Sequence, residues 1–140
     1  MDGRIKRLMR MLPEDVDAAL INGYGIRRYY TGRAIPDALL LVSGKSAWML
    51  ASPTYRKEAV GIPDVRYVES WDPWVGLSDL LEAEGIRRLA VQADQLTVAE
   101  WGRLKKETVC EVVDDGRLDE LLYRLNCVKS QEEVEAVARA

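Results

Sequence analysis

Two thiols, paired carboxylates and the absence of imidazole define the chemistry open to this chain. None of its 140 residues is histidine. No Ser-His-Asp triad, Cys-His pair or histidine-ligated zinc can be assembled from it. The usual general base near neutral pH is missing as well. Catalysis would have to rest on carboxylates, Lys, Tyr or the two cysteines. Cys110 and Cys127 are far apart and belong to no Cys-x-x-Cys pair. Buried reduced thiols are the expected state, and spacing alone leaves a disulfide open. Asp114-Asp115 and Glu132-Glu133 are the carboxylate pairs. Adjacent strand residues point to opposite faces, so Asp114 and Asp115 are poorly placed to share a metal. Glu133 is better explained as a helix-cap partner. The expectation is no catalytic residue and no metal ligand in this chain.

Two glycine motifs invite a phosphate reading. Gly23-Tyr24-Gly25 follows a strand pattern and precedes a helical one, but Arg28 stands where a dinucleotide loop needs its third glycine. Gly44-Lys45-Ser46 resembles the end of a phosphate-cradling loop, yet Leu39 occupies the required upstream glycine position and a strand follows. A tight hairpin turn explains it better. The cluster Arg4, Lys6, Arg7 and Arg10 reads as the solvated face of an amphipathic helix. With a net charge of -3 and a pI near 5.1, nucleic acid is not an expected partner. Trp71 and Trp74 flank Asp72-Pro73 in a loop, where packing and interface roles stay open. Trp48 and Trp101 fit core positions.

The elements that must position these residues follow from periodicity. Ile5, Leu8, Met9 and Leu12 make one helical stripe, ended by Pro13. Val16 to Asn22 is a buried strand with an Asn-Gly turn. Ile26 to Tyr30 forms a short helix closed by Gly32. Ala38 to Ser43 and Ser46 to Ser52 form a hairpin, and Pro53 opens a short helix. Val65 to Glu69 is a strand, and a helix from Trp74 closes at Gly85. Leu89 to Ala93 and Val109 to Val113 are further strands. Thr97 to Glu100 is a capping box that starts a helix. Leu118, Leu121, Leu122 and Leu125 form another helical stripe. Ser130 to Glu133 is a second capping box. Alternating strands and helices with one hairpin give an α/β fold with a mixed sheet and helices on its faces. The apolar runs Ala38 to Val42 and Ala47 to Ala51 fall far short of the ~18 residues of a membrane span. The N-terminus lacks the apolar core of a signal peptide, so the cytoplasm is the expected compartment.

Four local signatures, in order, resemble the N-terminal domain of the prolidase, aminopeptidase P and creatinase family. The first is Asp17-Ala18-Ala19-Leu20-Ile21 with Ile26-Arg27-Arg28-Tyr29-Tyr30-Thr31-Gly32. The second is Ala38-Leu39-Leu40-Leu41-Val42 with Tyr55-Arg56-Lys57-Glu58-Ala59. The third is Leu89-Ala90-Val91-Gln92-Ala93-Asp94-Gln95-Leu96-Thr97. The fourth is Leu122-Tyr123-Arg124-Leu125-Asn126-Cys127-Val128-Lys129-Ser130-Gln131-Glu132-Glu133-Val134. Gln92 stands where the family usually has Glu, and Gln95 where it often has His.

The resemblance implies a ribonuclease-H-like α/β/α sandwich over residues 1–127. Residues 128–140 would begin a linker helix to a C-terminal catalytic domain. That domain would carry two divalent metal ions (Mn, Co or Zn) and cleave Xaa-Pro bonds in proline-containing peptides. This chain would be its non-catalytic partner, building a homodimer and covering the active site. The loops Arg33 to Asp37 and Tyr55 to Arg56 would face that site. The rim candidates are then Arg33, a bidentate donor for a carboxylate, Tyr55, a surface for a proline ring, and Arg56. The alternative is a free-standing small-molecule or peptide binding module with no catalytic domain.

Overall fold

The computed structural model describes residues 3–126. A six-stranded mixed sheet runs in the order β4-β3-β2-β1-β5-β6, with β1 at Ala18–Ile21, β2 at Leu39–Ser43, β3 at Ala47–Ala51, β4 at Arg66–Glu69, β5 at Arg88–Val91 and β6 at Glu111–Val113. Only β2 runs against the others: it pairs antiparallel with β1 and β3, while β1–β5, β5–β6 and β3–β4 are parallel. The helices are α1 (Arg4–Met11), α2 (Tyr24–Thr31), α3 (Arg56–Ala59), α4 (Pro73–Ala83) and α5 (Val98–Glu107), followed by α6 over 117–126.

The central strands are apolar on both sides, because helices cover both faces. Ala19, Ile21, Leu40, Val42 and Met49 meet α1, α2, α3 and α6 through Ile5, Leu8, Tyr30, Ala59, Leu118 and Leu122. The alternate residues Leu20, Leu41, Leu50, Leu89 and Val91 meet α4 and α5 through Leu77, Leu81 and Leu104. This is the expected three-layer α/β/α sandwich. A one-residue slip of β1 would exchange its two faces, so packing fixes its register.

Local chemistry sets the element ends. Gly32, at φ 71°, closes α2, and its N–H donates to the Arg28 carbonyl. Ser43 Oγ accepts the Lys45 and Ser46 N–H groups at 3.2 and 3.0 Å, which closes the hairpin around Gly44-Lys45. Thr97 and Glu100 form the reciprocal cap of α5, with both hydrogen bonds at 3.0 Å. Asp72 caps α4 through the Trp74 N–H and also pairs with Arg103 at 2.6 Å, tying α4 to α5.

Four expectations need correction. The strand over Val16 to Asn22 is only Ala18–Ile21, since Val16 belongs to the turn after Pro13. The strand over Leu89 to Ala93 ends at Val91, because Ala93–Gln95 coils into a 3-10 turn. The Val109 to Val113 strand is three residues long, with β5 as its partner only from Glu111 onward. Val109 is fully exposed and Cys110 half-buried, outside the ladder. Trp101 is a half-buried flank of the core, with Lys105 Nζ 5.1 Å from its ring centroid. Trp48 is buried as expected. Cys127, the Ser130 to Glu133 capping box and the linker segment 128–140 lie outside the described residues.

Candidate functional site

In open α/β sheets, loops at the carboxyl ends of the parallel strands line the usual ligand crevice. Here that end gathers the turn after β1, the loop entering β2, and the starts of α4 and α5. Together they form a cleft of about 470 Å³ lined by Asn22, Tyr24, Arg27, Asp37, Trp74 and Glu100, among others.

A buried arginine organises it. Arg27 is 4% exposed, and its Nη1 and Nη2 donate to the carbonyls of Asn22 and Ile35, each at 2.6 Å. Both partners are backbone, and among the described residues Arg27 has no salt bridge. Burial pushes its pKa below the usual arginine value, opposed by the charges of Tyr24, Asp37 and Glu100. The guanidinium thus fastens the end of β1 to the loop 33–37. The expected helix over Ile26 to Tyr30 is longer, Tyr24–Thr31, and its sequence did not single out Arg27. The distinguishing signal was spacing: Arg27, Tyr30 and Thr31 fall at i, i+3 and i+4 on the buried stripe, and Arg28 does not.

Neutral amides complete the stitching. Gln92, 2% exposed, accepts the Gly23 N–H through Oε1 at 2.9 Å. Asn22 Nδ2 donates to the Gln95 carbonyl at 3.0 Å. A Cβ on Gly23 would lie 2.9 Å from Gln95 Cγ. The first glycine of Gly23-Tyr24-Gly25 thus has its N–H committed to Gln92 and its Cα packed on Gln95, and that N–H is not free for a phosphate. Gln92 through its side chain and Gln95 through its carbonyl hold these turns together. Asp37 adopts a left-handed backbone, φ 49°, which is uncommon for a residue with a side chain.

The rim candidates lie on two segments, Arg33 after α2 and the neighbours Tyr55 and Arg56 where α3 begins. Arg33 is exposed and lines a separate cavity of about 370 Å³ with Arg4, Tyr29, Tyr30 and Asp64. Tyr55 is half-buried against the core. Arg56 is exposed and lies 3.8 Å from Glu69. No hydrogen bond or ion pair joins Arg33 to Tyr55 or Arg56 among the described residues. Nor do the described residues contain a group of three or more Cys, Asp or Glu able to hold a metal ion. Asp115 is instead committed to Arg117 at 2.8 Å. Cys110 has its thiol pushed up by burial, the opposite of an activated nucleophile. No described helix is long and apolar enough to cross a membrane.

Comparison with known proteins bears directly on this arrangement. The family model for the creatinase/prolidase N-terminal domain matches residues 4–127. The fold is similar to a Xaa-Pro dipeptidase from Bacillus anthracis, with 22% identity and a TM-score of 0.69 over 85% of this chain and 35% of that one. It is similar to a creatinase/prolidase-like N-terminal domain from Corynebacterium diphtheriae, with 22% identity and a TM-score of 0.69 over 79% of this chain and 92% of that one. It is also similar to the N-terminal domain of the cytoplasmic peptidase PepQ from Mycobacterium tuberculosis, with 21% identity and a TM-score of 0.65 over 79% and 88% of the two chains. The match thus spans about a third of the Bacillus anthracis chain and most of the two isolated domains. No curated protein matches the sequence at a significant level.

Proposed function

Because the chain belongs to the creatinase/prolidase N-terminal domain family, we propose that it serves as the non-catalytic domain of a Xaa-Pro dipeptidase or aminopeptidase. The observation that carries this reading is the family match over residues 4–127. A pair of divalent metal ions, Mn, Co or Zn, would sit in a catalytic domain. The residues described here do not fit such a group, and no chemical step is assigned to them.

The domain's own contribution is placement. Arg27 clamps the loop 33–37 to the sheet, so a side chain on that loop can meet a substrate without first ordering it. Arg33 offers a free guanidinium for a peptide carboxylate, Tyr55 an apolar ring face for proline, and Arg56 a second cation. Homodimerisation would present these residues to the partner subunit's active site. The cytoplasm is the compartment that fits the likeness to a peptidase named as cytoplasmic.

The test is kinetic. In a polypeptide that joins this domain to a catalytic one, Arg33→Ala and Tyr55→Ala should raise KM for Xaa-Pro dipeptides about tenfold with little change in kcat, the mark of lost substrate binding. Unchanged KM in both variants would remove the rim role. Sedimentation of the same polypeptide tests the homodimer.

A further inference from the structure

We propose that the cleft at the carboxyl end of β1 binds an organic cation, a primary ammonium or guanidinium group carried on an aliphatic chain. The inference concerns the isolated domain and holds whether or not the peptidase reading does.

The cleft presents acceptors and aromatic faces. Asp37 and Glu100 both line it, and neither forms a salt bridge among the described residues. Glu100 spends Oε1 on the Thr97 N–H, which leaves Oε2 for a ligand. Trp74 supplies a ring face, Tyr24 carries the Arg27 guanidinium 5.7 Å from its ring centroid on one side, and Pro36 and Pro73 supply apolar wall. An aliphatic chain ending in a cation matches such walls and acceptors.

Arg27 does not fill this role itself. Its terminal nitrogens are consumed by the Asn22 and Ile35 carbonyls, and it is buried. One fixed cation faces two carboxylates, so the cleft keeps a net negative charge. An independent observation points the same way. Asn22 lines the cleft and is 9% exposed, and its Oδ1 is buried with no hydrogen-bond partner. Its Nδ2 is turned to the Gln95 carbonyl, outside the cleft lining, which leaves the acceptor on the opposite side of the amide. A buried acceptor without a donor is costly, and a ligand N–H would satisfy it.

The experiment is an amide and indole NMR titration of the 140-residue chain with N-butylguanidinium, using N-butylurea as the neutral isostere. Shifts should localise to Asn22, Tyr24, Asp37, Glu100 and the Trp74 indole. The urea should bind at least about tenfold more weakly, as expected when a charge-assisted contact is lost. Affinity should fall as salt rises from about 0.05 to 0.5 M. Asp37→Asn keeps a residue that tolerates the left-handed backbone, and Glu100→Gln keeps the cap of α5. Both variants should retain the wild-type Tm, and each should weaken guanidinium binding several-fold. Equal binding of guanidinium and urea, shifts confined to other surfaces, unaltered affinity in both variants, or no binding at about 10 mM probe would each overturn the proposal.

Discussion

At the amino ends of β1 and β5 the stitching is charged and wet, whereas at their carboxyl ends it is buried and mostly neutral. On the first side, Asp17 accepts the Arg87 and Arg88 N–H groups, each at 2.9 Å, Asp15 pairs with Arg88 at 3.6 Å and with Arg117, and Arg88 lies 3.8 Å from Glu111. These groups are in contact with water, where ion pairs contribute little and salt screens them. On the second side, Arg27 and Gln92 are 4% and 2% exposed and satisfy buried backbone groups. Removing one partner there leaves an unpaired buried group, which costs far more than the hydrogen bond itself contributes. The amino end keeps the strands together, while the carboxyl end holds loops in place around a cleft.

The largest way to break this contrast is Arg27→Met. Two carbonyls lose their donor, so stability should fall by roughly 2–5 kcal/mol. Hydrogen exchange should accelerate first at residues 33–37. Thermal denaturation and exchange mass spectrometry check both points. Gln92→Leu comes next, with a loss of about 1–3 kcal/mol from the orphaned Gly23 N–H. Gln92→Glu keeps the acceptor beside the start of α2 and should stay near wild type by the same measurement. Thr97→Ala removes the cap of α5 and should cost about 1 kcal/mol in urea denaturation.

Acidity separates the two sides without any mutation at the amino end. Asp119 holds α6 to the turn after β5 through the Ala93 N–H at 3.0 Å. Burial, then a hydrogen bond and like charge from Asp94, push its carboxyl up to about 6 from 3.8. The folded chain binds that proton more tightly than the unfolded one, so the fold gains stability as pH falls from about 6 towards 4, even though protonation weakens the Ala93 hydrogen bond. Asp15 is held below the usual range by its hydrogen bond to Arg117, and Asp17 by the Arg88 and Arg87 N–H groups. Their contribution is present above 3.8 and is lost as pH falls below it. Asp119→Asn should therefore be more stable than wild type at neutral pH and converge with it near pH 4, in denaturation followed across pH. The smallest effect belongs to Arg117→Ala. Its exposed pairs should leave Tm almost unchanged, less still in high salt.

The elements with clean periodicity were legible in the sequence: the stripe of α1, the apolar runs of β2 and β3, the capping box of α5. Each is a local pattern with a local cause. Strand ends were less so. Cys110 continues an apolar run yet lies outside β6, because pairing depends on where β5 offers a partner, which no window of the chain records. The cleft was the least legible part. Asn22, Asp37, Trp74 and Glu100 are scattered over the chain and meet only through the strand order. Arg27 looks like a surface arginine until its neighbours on the buried stripe are counted. The rim residues were named from family likeness, and they come from two segments, Arg33 after α2 and Tyr55-Arg56 at the start of α3.

The proposed function has this chain position substrate and leave the chemistry to a catalytic domain. Hydrolysis of a Xaa-Pro dipeptide, measured with added Mn²⁺ or Co²⁺, tests it directly when the 140-residue chain is assayed beside a polypeptide that joins it to a catalytic domain. The account predicts no turnover by the chain alone and metal-dependent turnover by the longer polypeptide. Hydrolysis by the chain alone, or an inactive longer polypeptide, would contradict it.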